Sequence, residues 1–425
     1  MEEIIKKILS KSKNDTEVLI SDSNSTKSYL SKNYIRNTSS SNEKTILIRV
    51  TLPDGRTGCY NCEPLFWETA LKKAESIAKL SEKDKDFRGI PEKQKYSRLK
   101  PSNFKISSEE FIQKSFSVLD TASQTKARVI ESDCELINTT EYFGNSNGIY
   151  IKEQKTNTSF SIWTSYKKNT IISGFASSSL VDFAGKTKEI CDLCIRGDGA
   201  KKLKTTKKMQ IIFDQNTMAY VFSSMLTPSF DAFSKIKGIN FFCNKENQKI
   251  ASPNFSVFDN GLLEDGLFSS ISDAEGIPRK KTPLITEGIL NGFLYDYYTA
   301  GMENKESTGN SSSIISRPSI SPSNIVIKKG DFSEDEIISD TKEGIIIHSL
   351  IGMGGANPVS GDFSPAVANG FYIKNGKILY PVKELMISAN IFDMIKKISA
   401  IGSKAEQNSE IVSPMIRFDD VLVIG

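Results

Sequence analysis

The stretch "IGMGGANPVSGDFSPAVANGFYIKNGKILYPV", Ile351 to Val382, narrows what the second half of the chain can become. It is dense in Gly, Asn, Pro, Ser and Asp, yet neither charged nor repetitive enough for a disordered tail. It then turns into a hairpin, "YIKNGKILY". From about Asn254 onward the chain keeps this habit, with strand-like runs between Gly and Asn turns. Residues 207–425 are therefore expected to form a β-rich domain with antiparallel sheets.

The first half mixes periods. Ile4, Ile5, Ile8 and Leu9 recur at helical spacing. Three β-like runs follow, "TEVLIS", "TKSYLSKNYIR" and "KTILIRVTL", and then a turn and returning strand at "PDGRTGCYN". Leu65, Ala70, Leu71, Ala74, Ile77 and Ala78 predict one side of a helix. Residues 81–106 are charged and lack apolar period, which predicts a surface linker. Ser107 and Glu110 have capping-box spacing. Beyond them come strand runs with a turn at "GNSNG", a helix over Leu180 to Arg196, a strand at "MQIIFD" and a helix over Asn216 to Leu226. The reading is α+β. An N-terminal helix-and-sheet domain takes residues 1–200, in two sub-units of about 1–80 and 107–200.

The inventory of side chains excludes several chemistries. The chain has 55 basic and 51 acidic residues, so no clustered excess points to nucleic acid. Its one basic cluster, Gly199 to Gln210, predicts a solvated loop between domains rather than an anion site. No run of about 18 apolar residues predicts a membrane span. The start lacks a signal peptide's apolar region, so a cytoplasmic protein with reduced thiols is expected. There is one histidine, His348, in the apolar run "EGIIIHSLIG". A hydrolytic zinc site built on two or three histidines cannot be assembled from it. Cys59 with Cys62, and Cys191 with Cys194, form two CxxC pairs far apart in sequence. Small buried thiols account for both. The first pair also precedes a helix, as redox motifs do. Asp259, Asp265, Asp273 and Glu275 read as turn and cap residues, with a carboxylate cation site as the alternative.

The segment Ser256 to Asn310, "SVFDNGLLEDGLFSS…", resembles the TldD/PmbA family, also called TldD/TldE or modulators of DNA gyrase. So does the run Gly355-Ala356-Asn357-Pro358-Val359-Ser360-Gly361-Asp362-Phe363-Ser364, followed by Asn375-Gly376-Lys377-Ile378 and Pro381-Val382. "NSNGI" at Asn145 and "DGRTGCY" at Asp54 are similar to family landmarks. The resemblance implies a helix that in TldD-like members carries HExxxH, completed by a Cys near the C-terminus. The corresponding stretch here, Asn216 to Phe230, has no His and no Glu, and Ala400 to Gly425 has no Cys. The resemblance therefore implies the TldE/PmbA branch. In that branch the subunit is non-catalytic, so the resemblance implies a chain with no cofactor of its own that pairs with a zinc-bearing TldD-like subunit to degrade unfolded polypeptides or peptides. A dimer is expected. Gly354, Gly355, Asn357, Gly361 and Asp362 are the candidate peptide-cleft or interface residues, with a positive φ expected among them. Two other functions stay open: a homodimeric peptide-binding scaffold, and thiol chemistry at Cys59 and Cys62.

Overall fold

The protein is described by a computed structural model covering residues 1–32, 34–99, 104–315 and 317–425. Helix α1 (Glu2–Lys11) buries Ile5 and Ile8. Strands β1 (Asp15–Ser31), β2 (Tyr34–Thr51) and β3 (Thr57–Cys62) precede helix α2 (Trp67–Leu80). Helices α3 (Ser108–Ser115) and α4 (Ser117–Ser123) lead into β4 (Arg128–Asn145), β5 (Tyr150–Tyr166), β6 (Asn169–Ser177) and α5 (Phe183–Arg196). The six strands form one antiparallel sheet in the order β3-β2-β1-β4-β5-β6.

Several expectations change here. The three early β-like runs are two long strands, because "TKSYLSKNYIR" is broken by a turn and shared between β1 and β2. Residues 1–80 and 107–200 do not build separate sheets. They share one, because β1 pairs with β4 from Glu17↔Asn145 to Ser31↔Glu131. In α2 the buried side is Ala70, Leu71, Ala74 and Ala78. Leu65 and Ile77 are exposed instead, Leu65 lying in the 3₁₀ turn before the helix. The linker predicted over 81–106 carries no strand up to residue 99, and its residues 100–103 lie outside the described ones. It is tied down: the Pro91 and Ile90 carbonyls accept hydrogen bonds from Asn145 and Asn147, and the Tyr96 hydroxyl donates to the Gly276 carbonyl.

The C-terminal half begins with β7 (Lys201–Lys202), β8 (Thr206–Phe213), α6 (Gln215–Met225) and α7 (Ala232–Ile236). Next come β9 (Val257–Asn260), β10 (Lys281–Thr286), β11 (Ile289–Leu290), α8 (Tyr297–Met302), β12 (Ile325–Ile327), α9 (Glu334–Ser339) and β13 (Glu343–Ile351). The chain ends with β14 (Asp362–Phe363), β15 (Ala366–Lys374), β16 (Lys377–Lys383), β17 (Met386–Asn390), α10 (Ile391–Met394), β18 (Ile398–Asn408) and β19 (Ile411–Ile424). Their sheet runs β11-β10-β9-β12-β19-β8-β13-β15-β16-β7, with β14, β17 and β18 attached at the side. It is mostly antiparallel, but β8 with β13, β12 with β19 and β16 with β7 are parallel. The basic run Gly199 to Gln210 is therefore not only a loop: it holds β7 and the start of β8, a strand inside the sheet. α6 buries Met218, Val221, Phe222 and Met225 in the main core, beside Phe213, Phe418 and Ile416.

Polar caps fix where the helices begin. Asp182 and Asp214 accept from Gly185 N–H and Thr217 N–H at the starts of α5 and α6, and Ser107 caps α3. Asn375 and Gly376 both have positive φ, which makes the β15–β16 turn the tight kind that matches strand twist.

The two halves are joined by buried charge. Arg49 of β2 is fully buried and donates to both oxygens of Glu17 on β1; its Nη2 also donates to Glu275 of the C-terminal half, at 3.0 Å. Arg317 reaches Glu17 at 3.3 Å. Replacing Arg49 by Leu would leave Glu17 and Glu275 buried without their main partner, a loss of about 3–5 kcal/mol. Equilibrium denaturation of Arg49→Leu should show that loss. A change under about 1 kcal/mol would mean the network is solvated and does not hold the halves together.

Candidate functional site

Odd-numbered residues of β5 share one face of the N-terminal sheet. Ile151, Glu153, Lys155 and Asn157 point toward the C-terminal segment 262–274. Two neighbouring cavities lie between them. The larger, about 680 Å³, is walled by β5, Arg98, Leu99 and Leu262 to Leu267. The other, about 450 Å³, has an apolar floor of Leu19, Phe143 and Ile151 and a polar rim that includes Asp273, Arg279 and Ser311. Glu153 stands between them and latches the walls, accepting from Ser270 Oγ and, at 3.1 Å, from Ile271 N–H. These volumes fall in the range of ligand clefts. A cleft bordered by strand on one side and loop on the other offers an extended chain both pockets and main-chain contacts.

Of the acidic residues named from the sequence, Asp265 lines the larger cavity and Asp273 the smaller. They do not form a cation site. Asp273 accepts from the N–H groups of Glu275, Ile277 and Ser311, and so ties three loop segments. Asp259 accepts from Ser323 and Asn310. Glu275 belongs to the Arg49 network. Burial raises the pKa of Asp259, Asp273 and Glu275. The turn reading describes Asp273; Asp259 instead lies in β9, and Glu275 is a buried ion-pair partner. Glu153 and Arg279 were missed in the sequence, because only the contact between the halves marks them.

His348 sits on β13 beside Phe371, half-enclosed, with Nδ1 2.7 Å from Asp214 Oδ2. The contact joins a strand to the cap of α6. Among the described residues no group of three His, Cys, Asp or Glu side chains is placed to hold a metal ion. Cys59 and Cys62 lie on β3, with Cys59 against the Ile314 and Ile315 carbonyls. Burial pushes both thiols up, opposite to what a nucleophilic thiol needs. Cys191 and Cys194 are buried in α5.

The Gly-rich segment lies elsewhere and lines neither cavity. Gly352 and Gly361 have φ of 92° and 87°. Gly354 and Gly355 have ordinary φ and open space around them, so no backbone requirement fixes glycine there. Asn357 accepts from Val359 N–H and Ser360 N–H, and the Gly361 N–H donates to its carbonyl at 2.7 Å. Asp362 accepts from Asn390 Nδ2 and Ser360 Oγ, each at 2.9 Å. Those bonds, Asn390's first, hold its carboxyl below the usual range. The segment is a closed set of local bonds that fastens β14 to β17.

Residues 206–425 match the model of the PmbA/TldA metallopeptidase C-terminal domain. An uncharacterized protein of Methanocaldococcus jannaschii is 32% identical over 280 residues, which cover 66% of this chain and 65% of that protein's own length. A metalloprotease PmbA homolog of Buchnera aphidicola is 26% identical over 83% of this chain and 79% of its own. Among solved structures, TldE from Thermococcus kodakarensis has the same fold, with a TM-score of 0.92 over 100% of both chains at 23% identity.

A side chain at Gly361 would suffer twice: from the positive φ, and from a Cβ 2.4 Å from the Phe392 ring. Gly361→Val should lower the melting temperature by a loss well above the 1–2 kcal/mol of the backbone strain alone. Asp362→Asn keeps an acceptor for Asn390 and should cost under about 1 kcal/mol. Parallel thermal melts check this. An Asp362→Asn variant as unstable as Gly361→Val would show that the charge itself holds the turn.

Proposed function

We propose, from the premise that this chain belongs to the PmbA/TldD metallopeptidase family, that it is the non-catalytic, TldE-like subunit of a two-subunit zinc protease acting on unfolded polypeptides and peptides. The observation that carries this is α6. The family resemblance puts HExxxH on this helix, and the chain has neither His nor Glu there. Its outward side chains are used structurally: Asn216 accepts from Asn408, and Ser223 donates to Glu410. The zinc belongs to a TldD-like partner. The cleft along β5 is where an extended peptide would lie, and the turn of Gly354 to Asp362 is an exposed surface available to the partner.

A homodimeric scaffold is the second reading, and the same cleft supports it. Thiol chemistry at Cys59 and Cys62 has the raised thiols against it. No helix among the described residues is long and apolar enough to cross a membrane, and the proposed location is the cytoplasm.

The test is reconstitution. The chain alone should bind well under about 0.1 zinc per monomer after dialysis and cleave no peptide, since it lacks a ligand set. Mixed with a TldD-like chain from the same genome, it should elute as a heteromer with about one zinc and gain peptidase activity. Stoichiometric zinc and cleavage by the chain alone would overturn the proposal. Failure to associate with any TldD-like chain, with a stable homodimer instead, would favour the scaffold.

A further inference from the structure

Strand β2 outruns its neighbour. On one side it pairs with β1 along its whole length, from Asp15↔Thr51 to Ser31↔Tyr34. On the other, β3 covers only Ile46 to Thr51, because after Cys62 the chain leaves into the 3₁₀ turn Pro64–Phe66. Among the described residues nothing pairs with the outer edge of β2 beyond Ile46. The eleven residues from Tyr34 to Lys44 are all exposed. Helix α3 covers β1, where Thr26 and Ser28 are buried against Ser108 and Ser115, and leaves this part of β2 bare. An open edge of this length, about 36 Å, shows a row of unpaired N–H and C=O groups.

Folds guard such edges with proline, charge or a bulge. The middle of this one, Asn37-Thr38-Ser39-Ser40-Ser41-Asn42, has no proline and no charge. Its pairing with β1 is regular from Asn37 to Thr51, and the one bulge falls outside it, at Arg36. Side-chain bonds across to β1, Ser41 to Ser25 and Asn42 to Asp22 and Asn24, hold it in the sheet. A free antiparallel edge is complementary to itself after a two-fold rotation, which sets the residue at the axis opposite its own copy. Charge selects the register. An axis at Ser40 would bring Arg36 opposite Lys44 of the second copy. An axis at Ser39 sets Thr38 opposite Ser40, Asn37 opposite Ser41 and Arg36 opposite Asn42, with no like charges opposed. Apolar ends meet as well. Leu65 and Phe66, 80% and 54% exposed, lie in the turn where β3 leaves off, and that turn touches β2. The second copy's Tyr34 and Ile35, 68% and 44% exposed, arrive there, and the two-fold repeats the contact at the other end.

We propose that the outer edge of β2 binds a second copy of this chain, strand to strand about a two-fold axis at Ser39, so that the two N-terminal sheets run on into one. The edge belongs to the N-terminal half and the Gly-rich turn offered to a TldD-like partner belongs to the C-terminal half, so the pairing of copies does not rest on the proteolytic reading. Sedimentation velocity on the full chain alone, from about 1 to 300 μM, tests it. A monomer–dimer equilibrium with a Kd of about 100 μM or tighter is expected. Thr38→Lys combined with Ser40→Lys opposes like charges at two positions of the pair and should weaken the dimer about tenfold or more. It should leave the melting temperature unchanged, since both side chains are exposed. Position is read by cross-linking. A short bismaleimide should join two copies of Ser39→Cys, which meet at the axis. It should not join two copies of Glu43→Cys, which stand about 26 Å apart in this register. The unsubstituted chain, whose six cysteines are buried or half-buried, is run beside them. A monomer throughout the concentration range, a dimer indifferent to the lysine pair, or no link at Ser39→Cys overturns the proposal.

Discussion

A fully buried guanidinium cannot be left to chance. Arg49 is out of reach of water, and two carboxylates from distant parts of the sequence, Glu17 and Glu275, converge on it. A pair of this kind gains little net stability over apolar packing, because desolvation offsets most of the attraction. What it does is specify. An Arg49 without both partners is strongly unfavourable, so the N-terminal sheet can dock on the C-terminal half in few ways. The cleft along β5 depends on that docking, since one wall comes from each half. Glu153 then sets the spacing of the walls by accepting from Ser270 and Ile271.

Local chemistry was legible from the residues alone. Asn375-Gly376 specified a hairpin, Ser107 a helix start, and the turn between Gly355 and Gly361 a left-handed backbone position, which Gly361 takes. Each is decided within four or five residues of sequence. The family resemblance, too, rested on a long motif and was matched over residues 206–425. What could not be read depends on pairing between distant segments. Nothing near Lys207 and Lys208 says that a basic run will be a strand, because their place is fixed by Leu422 and Val423 of β19, more than two hundred residues on. The Glu17–Arg49–Glu275 network has the same character, as does the cleft, whose lining comes from β5 and from a loop beyond residue 260. Leu65 and Ile77 were misplaced for a smaller reason: a helical stripe of apolar residues does not tell which of its edges the sheet will cover.

Helix α6 owes its place to packing rather than to what its exposed face carries. Six of the eleven residues of α6, including Met218, Phe222 and Met225, are buried. They pack against Phe213, Ile416 and Phe418 from the middle of the large sheet. Asp214 caps its first turn and also holds His348 of β13. The helix is thus a structural staple whatever its outward face carries, and that face can change with little effect on the core. On it, Ser223 and Asn216 are joined to the β18–β19 turn through Glu410 and Asn408. Hydrogen bonds occupy the outward positions, and no convergent set of metal ligands does. A fold arranged this way can keep the shape of a protease subunit while contributing walls and surface rather than chemistry, which is what the proposed division of labour with a zinc-bearing partner requires.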